Sequence, residues 1–93
     1  MKTIAVKRFC THFNIPISFI ESLSEYELIE LEEIDGSTYM QLEDIHRIEK
    51  MIRLHYELNV NFEGIDIINH LKAQINSLED EIIILKNKID FYK

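Results

Sequence analysis

The sequence predicts a mainly α-helical domain with a small two-stranded hairpin and a long C-terminal coiled-coil helix. Three observations carry this. The 93 residues include two Gly and one Pro, so little interrupts a helix. Asp35-Gly36 is the residue pair a type I′ hairpin turn wants, because both central residues need positive φ. From Ile68 to Tyr92, apolar residues recur at alternating intervals of three and four, which is a heptad seam. A chain of this length buries roughly 60–65% of its unfolded surface, enough for one modest core. Residues 1–60 read as a winged helix-turn-helix-like region with a third helix, and 61–93 as the long helix. Together they make one compact domain.

Each element has a local reason. Residues 4–13 read as a short first helix with Ile4, Phe9 and Phe13 on its apolar side. Asn14-Ile15-Pro16 breaks it, and Pro16 suits the first turn of a second helix, where its missing N–H costs nothing. That helix runs to about Glu25 and turns Ile20 and Leu23 inward. Ser18 and Glu21 have capping-box spacing, which would start it two residues later. Two helices on a tight turn suggest a helix-turn-helix. Leu28 to Gln41 changes period around Asp35-Gly36 and forms the hairpin. Ile45, Ile48, Ile52 and Tyr56 then mark a third helix, opened by Glu43-Asp44 and ending near Leu58. Asn61 is placed to cap the fourth.

The seam consists of Ile68, Leu71, Ile75, Leu78, Ile82, Leu85, Ile89 and Tyr92. A helix from Phe62 to Tyr92 is roughly 46 Å long at 1.5 Å per residue. That exceeds the diameter of so small a globule, so part of it projects. Its seam either packs back on the third helix or pairs with a second copy in a homodimer. The charged flanking positions leave strand direction open: in a parallel pair Glu81 meets Lys86 favourably and Lys88 meets Lys93 unfavourably. The run Ile82-Ile83-Ile84-Leu85 is wider than a seam and calls for more than one neighbour.

Charge is unevenly distributed. The net charge is −7, yet residues 9–46 contain no Lys or Arg and nine acids. Such a block is either a solvated face or a docking surface for a basic partner. It disfavours nucleic acid, which needs Lys and Arg at its phosphates. No apolar run reaches the ~18–20 residues of a membrane span, and the N-terminal residues lack the long apolar stretch of a secretory signal. The single Cys10 makes no internal disulfide. A cytoplasmic protein is expected.

Catalytic patterns are missing. Cys10 and His12, two apart on a helix, point about 200° away from each other and make no nucleophile–base pair. His12, His46, His55 and His70 never recur at i, i+4, and no second cysteine joins them, so no metal site is expected. There is no Gly-rich phosphate loop and no Gly-x-Ser-x-Gly. The chain reads as a binding protein without cofactor, and not as an enzyme.

The order helix-turn-helix, wing, two helices and coiled coil resembles the MerR-type DNA-binding architecture. The local match is Leu28-Ile29 before the wing, Asp35-Gly36 in it, Tyr39 leaving it and Glu43-Asp44-Ile45 opening the next helix. Glu57 to Ile65 looks like that family's turn into its fourth helix. Where such regulators carry a proline and arginines in the wing, this chain has Glu30, Glu32 and Glu33, then Ser37-Thr38. Over nearly its whole length it also resembles the CbpM-like chaperone modulators, through Phe9-Cys10-x-His12 and through Arg53-Leu54-His55-Tyr56-Glu57-Leu58 leading into Asn61-Phe62-Glu63-Gly64-Ile65. That resemblance implies binding to the J-domain of a DnaJ-type co-chaperone and restraint of its activity. J-domains present a basic helix, which the acidic block would attract. The expected docking residues are Glu21, Glu25, Glu30, Glu32 and Glu33, with Phe19 either as their apolar anchor or packed beneath the hairpin. A DNA-binding regulator using the same fold is the alternative.

Overall fold

The structure is a computed structural model that describes residues 2–92. Met1 and Lys93 lie outside the described residues, and with Lys93 the Lys88–Lys93 clash of a parallel seam. The elements in order are β1 (Thr3–Ala5), α1 (Val6–Phe13), α2 (Ile17–Glu25), β2 (Leu31–Ile34), β3 (Ser37–Gln41), α3 (Ile45–Tyr56) and α4 (Phe62–Tyr92).

The N-terminus departs from expectation. Thr3–Ala5 is a strand, and the helix starts at Val6 rather than at residue 4. β1 pairs antiparallel with β3, Ile4 opposite Met40, so the sheet has three strands in the order β1-β3-β2. Three residues are too few to show a period, and their partners lie about thirty-five positions away; the pairing is a tertiary effect. The buried residues of α1 are Val6, Phe9 and Cys10, while Phe13 is exposed.

The helix-turn-helix closes through backbone geometry. The Ile15 N–H donates to the Cys10 carbonyl (3.1 Å), with Asn14 left-handed at φ 54°. This is a Schellman-type stop, and Asn tolerates the conformation well. Pro16 is the N-cap of α2 with no side-chain cap bond, so the Ser18–Glu21 box does not set the start. α2 ends the same way: the Leu28 N–H reaches the Leu23 carbonyl (2.9 Å) over a left-handed Glu27, φ 58°.

The hairpin forms as expected. Asp35 (φ 50°) and Gly36 (φ 79°) occupy the turn, and Leu31 pairs with Met40 across it. Met40 points with Leu31 and Ile4 into a core that also holds Ile20, Leu23, Leu28, Ile29, Ile48, Met51 and Ile65. A 3-10 turn at Leu42–Asp44 leads into α3. Arg47 ties this helix to the wing's entry by donating to the Leu28 carbonyl, while it also pairs with Asp44 at 3.1 Å.

α4 begins at a side-chain cap, the Gly64 N–H donating to Asn61 Oδ1 at 2.8 Å. Gly64 sits where a Cβ would lie 2.7 Å from Val60 Cγ1. Val60 packs against the core, so it has little room to yield. Gly64→Ala is therefore expected to cost about 1–3 kcal/mol by overpacking. Thermal unfolding checks this; an unchanged melting temperature would show that Val60 moves freely.

In α4, Ile65 is the one buried residue among those described, and Phe62 is partly buried. Neither belongs to the seam. The molecule measures 59 × 32 × 21 Å because the rest of α4 projects. The seam from Leu71 to Ile89 is 51–57% exposed, so it does not pack back on α3. Ile68 is partly buried at its base.

Candidate partner-binding surface

α2 and the hairpin each keep an exposed face among the described residues. Here their outward chemistry is carboxylate. Glu21 and Glu25 are exposed one turn apart on α2, which puts them on one side of it. Glu27 follows at the left-handed turn, a conformation that costs a non-Gly residue about 1–2 kcal/mol. Glu30 is exposed in the connection, and Glu32 and Glu33 are exposed on β2.

The strand splits the last two. Glu32 pairs with Tyr39 and Glu33 with Thr38, so they lie on opposite faces of the hairpin. Glu33 shares the side of Leu31 and Met40 at the wing's outer end. The acids thus wrap the hairpin rather than form one flat patch.

Phe19 does not join them. It is 3% exposed, which corrects the expectation of a partly exposed anchor. Its ring lies 5.3 Å from those of His55 and Tyr56 and 5.6 Å from Phe62. It packs where α2 meets the α3–α4 connection, in the same core cluster as Met40 of the hairpin. The reading of α2 as presenting Phe19 outward took its phase from Ile20 and Leu23 alone. With Phe19 included, the buried arc of α2 is wider.

Around Phe19 the aromatic cluster continues. Tyr26 stacks on Phe62 at 5.7 Å, and His55 stacks on Phe62 at 4.7 Å. His55 Nδ1 is 2.9 Å from the Val60 carbonyl, which only a protonated Nδ1 satisfies. The Tyr26 hydroxyl donates to Glu63 Oε1. That bond raises the tyrosine's pKa and lowers the carboxylate's, because the bond favours phenol and carboxylate together. The segment Arg53 to Gly64 thus docks the helix-turn-helix onto α4.

Cys10 is buried, and burial pushes its thiol up, the opposite of what a nucleophile needs. Among the described residues, no group of three or more His, Cys, Asp or Glu is placed to hold a metal ion. Among the same residues, no helix is long and apolar enough to cross a membrane.

The α1–α2 pair, the acidic hairpin and the projecting helix define a winged helix-turn-helix. The family model described as MerR HTH family regulatory protein matches residues 4–87. The chain belongs to that family. Comparison with curated proteins gave no match, and comparison with solved structures gave none.

Sequence reasoning missed the cationic side of the globule. Lys7 and Arg8 on α1 and Lys50 and Arg53 on α3 line neighbouring hollows that share Phe13. About forty positions separate the two pairs, so no local motif announces them.

Proposed function

We propose that this chain is a protein-binding modulator that takes the J-domain of a DnaJ-type co-chaperone and restrains its activity. The observation that supports it best is the acidity of α2 and the wing. These are the elements a DNA-binding relative would place against phosphate, and here they carry Glu21, Glu25, Glu30, Glu32 and Glu33 with no Lys or Arg between residues 9 and 46. A basic helix is the natural complement. The carboxylates supply steering and orientation. With Phe19 in the core, the apolar part of the contact falls to half-exposed groups nearby such as Ile17 and Ile34.

In this reading the protein acts as a homodimer through Ile68, Leu71, Ile75, Leu78, Ile82, Leu85 and Ile89. An antiparallel pair that sets Ile82 of one copy opposite Leu85 of the other brings Glu79 to Lys86 and Glu81 to Lys88 in both directions. The parallel pair offers only Glu81 to Lys86 among the described residues. Each arrangement thus finds favourable contacts, and the charge pattern leaves strand direction open.

The double reversal Glu25→Lys with Glu32→Lys tests the acidic surface. Both side chains are exposed, so folding should be unaffected. Association with the cognate J-domain, followed by stopped-flow fluorescence, should slow about tenfold or more at low salt and lose most of its salt dependence. Unchanged association at low salt would mean the acids are only a solvated face.

A further inference from the structure

We infer that the groove between α1 and α3 is a second docking surface, built for a short acidic helical segment with apolar anchors. Two hollows of about 810 and 380 Å³ lie side by side there and share Phe13. Their floor is apolar, from Ile4, Phe9 and Ile45 in the first and Ile52 in the second. Their rim is cationic. Lys7 and Arg8 stand on the α1 side and Lys50 and Arg53 on the α3 side, all four exposed. His12 and His46 add donors, and Glu49 is the one carboxylate among the lining residues. Four of the ten Lys and Arg of a chain with net charge −7 are thus gathered around one apolar trough.

That combination selects its ligand. An apolar floor rewards side chains that leave water, and a cationic rim rewards carboxylates placed beside them. An amphipathic acidic helix supplies both at once, with anchors at i, i+3 or i+4 and i+7. Duplex DNA supplies only the charge. It gains nothing from Ile4, Phe13 or Ile52, and the nine acids between residues 9 and 46 repel a polyanion while costing a short peptide little. α3 has twelve residues, so it spans about 18 Å and faces a segment of about twelve residues. This surface is separate from the acidic wing, so the protein would hold a basic partner and an acidic one on different faces.

The test uses the full chain, isotope-labelled for NMR, and a synthetic peptide of about twelve residues with Glu on one face and Leu and Phe on the other. Amide shifts should move in Lys7–Phe13 and His46–Arg53. The Lys50→Glu/Arg53→Glu variant should weaken binding about tenfold or more, and Glu25→Lys/Glu32→Lys should leave it unchanged or tighten it. If the first variant fails to fold, Lys7→Glu/Arg8→Glu reads the same rim from the other helix. Shifts confined to other elements, equal affinity for oligoglutamate lacking Leu and Phe, or tighter binding of random duplex DNA at this groove would each overturn the inference.

Discussion

Ile75→Asp together with Ile82→Asp should turn the proposed dimer into a monomer at tens of micromolar. Both side chains are more than half exposed in one chain, 52% and 56%, so the variant should keep its fold. In a paired seam they sit at the centre, and each carboxylate would enter an apolar interface without a partner. An unpaired buried charge costs several kcal/mol. About 4 kcal/mol would raise the dissociation constant about a thousandfold. Sedimentation equilibrium of both proteins reads this directly. The exposed run from Leu71 to Tyr92 has the size and continuity of an interaction surface. A wild type that sediments as a monomer would contradict self-pairing and leave that face for a different protein.

Phe19→Ala should be the most damaging single substitution in the helix-turn-helix. The ring is buried among His55, Tyr56 and Phe62, which come from two other segments, so truncation opens a hole where α2 meets α3 and α4. Phe→Ala in such a site costs about 3–5 kcal/mol. In a domain of this size that is a fall of about 15–30 °C in melting temperature. Circular dichroism melts check it. A melting temperature within about 4 °C of wild type would mean that the ring is not core, and would restore it as a contact for the partner.

How far the sequence could be read depends on how local each cause is. Asp35-Gly36 carries its own backbone preference, so the hairpin turn was legible in two residues. Asn61 was legible as a cap for the same reason. The heptad seam was legible because eight apolar residues keep one spacing over about seven turns. β1 was not, because Thr3–Ala5 become a strand only once β3 is present to pair with them. Phe19 was misread because its neighbours on α3 and α4 lie about forty positions away. The acidic block was legible as a count, but its division over the two faces of the hairpin follows from the β2–β3 register. The α1–α3 groove was hidden for a related reason: Lys7, Arg8, Lys50 and Arg53 meet only in three dimensions.

The strained Glu27 has a bearing on the same surface. A left-handed glutamate at the end of α2 holds one more carboxylate at the entrance to the wing, where glycine would be the relaxed choice. In the proposed function that carboxylate adds to the field met by a basic helix.

The most direct measurement is calorimetric titration of the wild-type chain with the isolated J-domain of the cognate co-chaperone, beside a titration with random duplex DNA, both at about 50 mM salt. Saturable binding of the J-domain, weakening as salt rises, with no heat from the duplex, is the predicted result. Salt-sensitive micromolar binding to the duplex with none to the J-domain would contradict it and favour the DNA-binding alternative.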